Sequence, residues 1–247
     1  MAKKIAFVTG GNRGIGLQTA SDLGKAGILV VIGSRDLKQG EKAVAKLRAE
    51  GADADVLRFD IVNPEHHQDA FNYFESKYGQ LDILVNNAGI AAGTFPASGP
   101  EHSVSEVPGA LLKSVFETNF FAPVALTQAL LPLLKKSPAA RIVNLSSILG
   151  SLTLHADPKS PIYHSKSFAY DASKTALNAF TIHLAHELRG TSIKVNSAHP
   201  GWVKTDMGGE QAPMELSEGS KTSTELATLS NDGPTGGFFH LGKALPW

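Results

Sequence analysis

The chain of 247 residues contains no cysteine, and charged residues make up only 19% of it. Without cysteine there is no disulfide framework, no thiolate metal site and no cysteine nucleophile. The 23 basic side chains balance the 23 acidic ones, whereas a broad nucleic-acid-binding surface needs a clear basic excess. With 42% hydrophobic residues, the chain has enough apolar material for a core, which argues against disorder.

Long apolar runs are lacking as well. The run near the N-terminus, Ile5 to Val8, is too short for the apolar part of a signal peptide. The stretch from Phe120 to Leu134 contains two prolines and polar residues, and it falls short of a membrane span. We therefore predict a cytoplasmic protein with neither a membrane nor a nucleic-acid partner.

Short apolar segments alternate along the chain with segments of helical composition, including a long helix expected at 110–136. Such alternation predicts βαβ units and a parallel sheet. The expected fold is one doubly wound α/β domain of Rossmann type over residues 1–247, with a parallel seven-stranded sheet and helices on both faces. The expected strands lie at 5–8, 28–32, 56–59, 81–85, 141–145, 192–198 and 237–241.

The first expected strand ends in a glycine-rich turn. Gly10, Gly14 and Gly16 permit a tight turn, a close approach of backbone to a pyrophosphate, and close packing of the following helix. The free N–H groups at the start of that helix attract phosphate. The spacing differs from the usual G-x-G-x-x-G, so a plain strand-to-helix turn is the alternative interpretation.

The second expected strand ends in Gly33-Ser34-Arg35-Asp36. Arg35 and Arg13 together could bind the 2′-phosphate of NADP(H), whereas Asp36 could instead bind the ribose hydroxyls of NAD(H). We favour the phosphate, because the basic residue comes first and a second one is available. Two solvated arginines are the remaining interpretation.

A candidate reactive group follows the fifth expected strand. Tyr170 and Lys174 are four residues apart and therefore share one helix face. A phenol has a reference pKa near 10, and a nearby ammonium stabilises its phenolate, so we expect Lys174 to lower the pKa of Tyr170. Tyr163 is a weaker candidate, because its lysine, Lys166, lies three residues away.

These motifs resemble those of the short-chain dehydrogenase/reductase family, and within it the carbonyl-reductase-like NADPH enzymes. The resemblance implies a catalytic tetrad in which Ser147 orients the carbonyl and Tyr170 is the acid and base. In that tetrad Lys174 binds the nicotinamide ribose, and Asn119 positions a water that relays protons. The matching segments are T-G-x-x-x-G-x-G from Thr9, N-N-A-G from Asn86, Asn119, N-L-S-S from Asn144, Y-x-x-x-K from Tyr170, and P-G-W-V-K-T-D-M from Pro200.

The tetrad serine is expected to be Ser147 rather than Ser146, since the functional serine of the family occupies this place and neighbouring strand residues face opposite ways. NADPH or NADP+ is the expected cofactor, with NAD(H) less favoured. The residues predicted to bind it are Gly10, Asn12, Arg13, Gly14, Ile15, Gly16, Arg35, Asp60, Ile61, Asn87, Ala88, Gly89, Tyr170, Lys174, Pro200, Gly201, Val203 and Thr205.

The expected activity is reversible hydride transfer from NADPH to a ketone or aldehyde, and the alternative is a non-catalytic sensor or scaffold that binds the dinucleotide. Substrate-loop insertions are expected near 91–109, 148–165 and 201–217. Ser147 and Tyr170 are 23 residues apart, which is longer than is usual in the family. In carbonyl-reductase-like relatives such an insertion goes with monomers, whereas other members of the family assemble. The sequence therefore leaves both a monomer and a homo-oligomer open. The order of His183, His186 and Glu187 does not match the helical zinc motif, and we predict no metal.

Overall fold

A central sheet of eight strands runs through the computed structural model, which describes residues 3–91 and 104–247. The strand order is β3-β2-β1-β4-β5-β6-β7-β8, and neighbours from β3 to β7 are parallel. The order reverses between β1 and β4, as in a doubly wound fold. The strands are β1 Ile5–Thr9, β2 Leu29–Ser34, β3 Ala54–Arg58, β4 Ile83–Asn86, β5 Arg141–Leu145, β6 Lys194–Ala198, β7 Phe238–His240 and β8 Lys243–Ala244.

The strand count corrects the sequence-based expectation of seven parallel strands. The additional strand, β8, pairs antiparallel with β7. The chain reverses between them at Leu241 and Gly242, which have φ angles of 46° and 75°. A strand of two residues is too short to produce a recognisable apolar pattern, so β8 was not predicted.

Helices cover both faces of the sheet, as expected. The long helix expected at 110–136 is divided by a π-helical turn, Glu117–Phe121, which contains the buried Asn119. The helices are α1 Gly14–Lys25, α2 Leu37–Ala49, α3 Pro64–Tyr78, α4 Gly109–Phe116, α5 Ala122–Leu134, α6 Leu152–Ala156, α7 Phe168–Glu187, α8 Leu216–Gly219 and α9 Lys221–Ala227, with a 3₁₀ turn at Ile148–Gly150.

Two apolar layers hold the helices to the sheet. On one face, Phe74 of α3, Leu126 of α5 and Leu184 of α7 belong to one buried cluster. On the other, Leu23 of α1 and Leu47 of α2 belong to a second cluster. The central strands β1 and β4 are buried along their whole length, which agrees with their largely apolar sequences.

The architecture confirms a single α/β domain of Rossmann type. Within the described parts of the chain, no helix has both the length and the apolar character required to cross a bilayer. The motif-bearing segments follow the carboxyl ends of β1, β2, β4, β5 and β6, so they meet at one edge of the sheet. Most of the expected loop at 91–109 lies outside the described residues.

Candidate active site

A cleft of about 1020 Å³ opens at this edge of the sheet. It is lined by Ser147, Tyr170 and Lys174, and by every residue that the sequence predicts to bind the dinucleotide. Side chains that the prediction omitted also line it. These are mostly apolar and include Phe59, Val62, Ile90, Ile148, Leu149, Ile162, Trp202 and Met207.

The start of α1 faces this cleft. Gly10 and Gly14 have φ angles of 62° and 55°, which favour glycine. Arg13 occupies the N-cap position without a side-chain cap, and the first turn contains no acidic residue. The N–H groups of that turn and the positive end of the helix dipole therefore suit a phosphate group.

The turn after β4 is tied to the glycine-rich turn. The hydroxyl of Thr9 accepts hydrogen bonds from the N–H groups of Asn87 and Ala88, each at 3.0 Å. The side-chain amide of Asn87 donates to the carbonyl of Thr9 at 2.8 Å. A Cβ on Gly16 would lie 2.4 Å from that amide nitrogen, so the approach requires glycine. These three hydrogen bonds hold the turn after β1 and the turn after β4 together at the base of the cleft.

The two arginines expected to bind the 2′-phosphate have different surroundings. Arg35 is exposed at the end of β2 and lines the cleft. Arg13 instead forms an ion pair of 2.6 Å with Asp206, which closes over the cleft from the segment after Pro200. Asp36, the possible ribose ligand, accepts the N–H of Gln39 as the N-cap of α2 and does not line the cleft. This arrangement favours Arg35 over Asp36 as the residue that contacts the adenosine end of the cofactor.

Asp60 lies at the end of β3, as expected, and lines the cleft with Ile61. Its Oδ1 accepts the N–H of Val62 at 3.3 Å, which closes a short turn. The N-cap of α3 is Asn63, so Asp60 does not cap that helix and is left to the cleft.

Ser147 and Tyr170 meet in the cleft. Both side chains line it, and the hydroxyl of Ser147 accepts the N–H of Leu149 at 3.2 Å. The neighbouring Ser146 also lines the cleft, but its buried Oγ has no hydrogen-bond partner within the described residues. The choice of Ser147 over Ser146 stays a prediction.

The pKa of Tyr170 differs from the expectation. Burial raises it to about 12, and the hydrogen bond from Ser147 lowers it too little to compensate. The negative charge of Asp171 acts in the same direction as burial. The net lowering that the sequence suggested is therefore not found, because removing the phenolate from water costs more than the hydrogen bond restores.

Lys174 lies one helical turn after Tyr170, with its Nζ 5.6 Å from the centre of the phenol ring. The Nζ donates to the carbonyl of Leu145 at 2.8 Å. Burial lowers the pKa of Lys174 to about 8. A Cβ on Gly89 would lie 3.5 Å from this nitrogen, so glycine leaves room around it on the cleft side.

Asn119 is fully buried in the π-helical turn and does not line the cleft. Its Oδ1 accepts the N–H of Ile90, and its Nδ2 donates to the carbonyl of the same residue, both at 2.8 Å. The Nδ2 also lies 3.1 Å from the hydroxyl of Ser173. Asn119 thus fastens the turn after β4 to the helix that carries Tyr170.

The weaker candidates lie elsewhere. Tyr163 does not line the cleft, and Lys166 lies over its ring at 5.1 Å. His183 and His186 are exposed on α7, and the described residues contain no group of three potential His, Asp or Glu metal ligands.

His199 lines the cleft, although it was not among the predicted site residues. Its Nδ1 accepts the N–H groups of Ile148 and Gly201, at 3.2 and 3.4 Å, so the neutral ring carries its proton on Nε2. Burial, with the nearby His240, lowers its pKa to about 3, which keeps the ring neutral. Its position directly before Pro200 was the available sequence signal.

Comparison with known proteins identifies the family. A family model described as short chain dehydrogenase matches residues 4–216. The chain belongs to this family. Carbonyl reductase (NADPH) 1 of Mus musculus is 33% identical, over 100% of this chain and 99% of the mouse protein. (+)-Neomenthol dehydrogenase of Capsicum annuum is 31% identical, over 96% of this chain and 95% of the pepper protein.

Solved structures agree with this family assignment. The NADPH-bound carbonyl reductase from chicken fatty liver has a TM-score of 0.84 and 29% identity, with all of both chains covered. The carbonyl reductase Sniffer of Drosophila melanogaster has a TM-score of 0.82 and 31% identity, also over both whole chains. The expected NADP(H)-dependent short-chain dehydrogenase/reductase of the carbonyl reductase type is confirmed, and the protein catalyses NADPH-dependent oxidoreduction of carbonyl groups.

Proposed function

We propose that the protein reduces the ketone or aldehyde group of a small, largely apolar molecule, and that Asn119, Ser147, Tyr170 and Lys174 carry out the reaction. The observation that supports this proposal most strongly is that Ser147, Tyr170 and Lys174 line one cleft together with the residues predicted to bind the dinucleotide. Lys174 lies close to the phenol ring of Tyr170.

The cleft has the features that NADPH requires. The uncapped start of α1 suits the pyrophosphate, and the positive φ angles of Gly10 and Gly14 let the backbone turn beside it. Arg35 offers a guanidinium for the 2′-phosphate. NADPH supplies the hydride when it is bound.

Ser147 and Tyr170 act on the carbonyl oxygen in this proposal. The hydroxyl of Ser147 donates a hydrogen bond to that oxygen and orients it, and the phenol of Tyr170 gives it a proton as the hydride reaches the carbon. The product is an alcohol. A pKa of about 12 keeps the Tyr170 phenol protonated near neutral pH, which is the form that reduction requires.

Lys174 and Asn119 support the proton donor. The ammonium of Lys174 stabilises the phenolate that remains after proton transfer, and the family resemblance assigns the nicotinamide ribose to the same side chain. Asn119 holds Ile90 through both of its backbone polar groups. It thereby fixes one wall of the cleft, and the resemblance also assigns it a water that relays protons.

Apolar side chains of the segments 148–165 and 201–217 favour an apolar substrate. Ile148, Leu149 and Ile162 line the cleft from the first segment, and Trp202 and Met207 line it from the second. Such a wall binds hydrocarbon surface near the reacting group. We propose that these two segments select the substrate.

A panel of ketones, aldehydes, quinones and sugars, each tested with NADPH and with NADH, is the experiment for this proposal. We expect loss of the nicotinamide absorbance band with NADPH and an apolar carbonyl compound, and a much slower loss with NADH. A sensor or scaffold would instead bind NADPH, as seen by fluorescence titration, and consume none of it with any carbonyl compound.

A further inference from the structure

His155 of α6 is largely buried and does not line the cleft. Its Nε2 lies 2.9 Å from the carbonyl oxygen of Leu149 and 3.4 Å from Oδ2 of Asp171. Its Nδ1 lies 2.9 Å from Nζ of Lys166. One imidazole therefore contacts three different segments beside the proposed site.

These contacts determine the protonation of the ring. A carbonyl oxygen only accepts hydrogen bonds, so Nε2 must carry a proton. The ammonium of Lys166 only donates, so Nδ1 must be unprotonated. Burial and the charge of Lys166 both lower the pKa of His155, which agrees with a neutral ring. Nε2–H thus donates to Leu149 and faces the carboxyl group of Asp171.

The Leu149 contact leads to Ser147. The N–H of Leu149 donates to the hydroxyl oxygen of Ser147, while its carbonyl accepts from His155. Both backbone groups of this residue are therefore held, and one lone pair of the Ser147 oxygen is occupied. The side chain of Leu149 also packs with Ile162 and Tyr170. The direction in which the serine hydroxyl points depends on how firmly Leu149 is fixed.

The Asp171 contact leads to Tyr170, the preceding residue. Oδ2 of Asp171 accepts the N–H of Ser167 at 2.9 Å and so closes the first turn of α7. The same oxygen faces His155. The imidazole is therefore a bridge between the turn after Ser147 and the helical turn that presents the phenol.

We propose that His155 is a positioning residue that holds the hydroxyl of Ser147 and the phenol of Tyr170 in register for proton transfer. This inference rests on the function proposed above. Because His155 is outside the cleft, its loss should lower kcat and leave NADPH binding unchanged. A misplacement of about 1 Å at the reacting groups is enough to reduce the rate by roughly 10²-fold.

The test compares His155→Asn with His155→Gln. The amide nitrogen of glutamine reaches about as far as Nε2 and can donate to Leu149, whereas the shorter asparagine cannot reach it. We expect His155→Asn to lower kcat roughly 10–100-fold, with the Kd for NADPH, measured by fluorescence titration, within about twofold of wild type. His155→Gln should recover most of the rate. His183→Leu, on the exposed side of α7, is the matched control and should behave as wild type.

Several results would overturn the inference. These are a wild-type kcat in His155→Asn, equal losses in the Asn and Gln variants, or a parallel loss of kcat and NADPH binding. If the Asn variant does not fold, Lys166→Met removes the exposed partner of Nδ1 and should lower kcat alone, whereas an unchanged kcat would count against the bridge. Tyr170→Phe separates the two proposals. If it is active, the proposed function fails, and if it is inactive while His155→Asn is fully active, only the bridge fails.

Discussion

The adjacent serines that follow β5 offer a sharp test, because Ser147→Ala and Ser146→Ala remove the same atom from neighbouring residues, of which only Ser147 is the proposed catalytic residue. Ser147→Ala removes a hydrogen-bond donor to the carbonyl oxygen, which should lower kcat about 10²–10³-fold, or about 2.7–4 kcal/mol. It also leaves the N–H of Leu149 without its acceptor, at a cost of about 1 kcal/mol in stability.

Ser146→Ala should have the opposite effect on stability. It removes a buried hydroxyl that has no hydrogen-bond partner within the described residues, so the variant should gain about 1 kcal/mol, or about 2–4 °C in Tm. Its kcat should stay near that of wild type. Steady-state kinetics and thermal unfolding of both variants provide the assay. Equal losses of kcat in the two variants, or an almost unchanged kcat in Ser147→Ala, would refute the assignment of the serine.

Three further predictions concern charged side chains. Arg35→Asp should raise the KM for NADPH about 10–100-fold and leave the KM for NADH unchanged, because it removes a charge-assisted hydrogen bond worth about 1.5–3 kcal/mol. An unchanged KM for NADPH would mean that the 2′-phosphate binds elsewhere. Lys174→Met should abolish turnover and raise Tm at pH 7. Because the pKa of Lys174 is lowered to about 8, its charge destabilises the folded state below that pH, and the destabilisation decreases as the pH rises further. A lower Tm in the variant would contradict this reasoning. Arg141 is 1% exposed and donates hydrogen bonds to the carbonyls of Leu229, Ala140 and Ser192 and to the side chain of Asn231. Arg141→Met should therefore lower the free energy of unfolding, measured by chemical denaturation, by roughly 2–5 kcal/mol. Arg189→Met, on the surface, is the control and should leave it almost unchanged.

The sequence predicted the architecture well where local patterns determine it. The apolar runs located seven strands, each of which overlaps a strand of the structure. The π-helical turn at Asn119 escaped prediction, although Pro123, two residues after it, cannot donate a backbone hydrogen bond to the preceding turn. The turn is associated with contacts that Asn119 makes to Ile90 and Ser173, which are distant in sequence.

Long-range contacts also limited the prediction of the site. Arg13 and Asp206 are 193 residues apart, and nothing in either local sequence indicates their ion pair. The direction of the Tyr170 pKa was missed for a similar reason, since the spacing of Tyr170 and Lys174 indicates proximity but not burial. The role inferred for His155 depends on the path of α6 behind the cleft, which a segment of five residues does not reveal.

The central claim is that the phenol of Tyr170 gives its proton to the carbonyl oxygen beside bound NADPH. The most direct measurement is kcat for Tyr170→Phe together with its Kd for NADPH, with Tyr163→Phe as the matched control outside the cleft. We expect Tyr170→Phe to lose almost all turnover and to bind NADPH about as tightly as wild type, and we expect Tyr163→Phe to be unaffected. A Tyr170→Phe enzyme that reduces carbonyl compounds at the wild-type rate would contradict the claim.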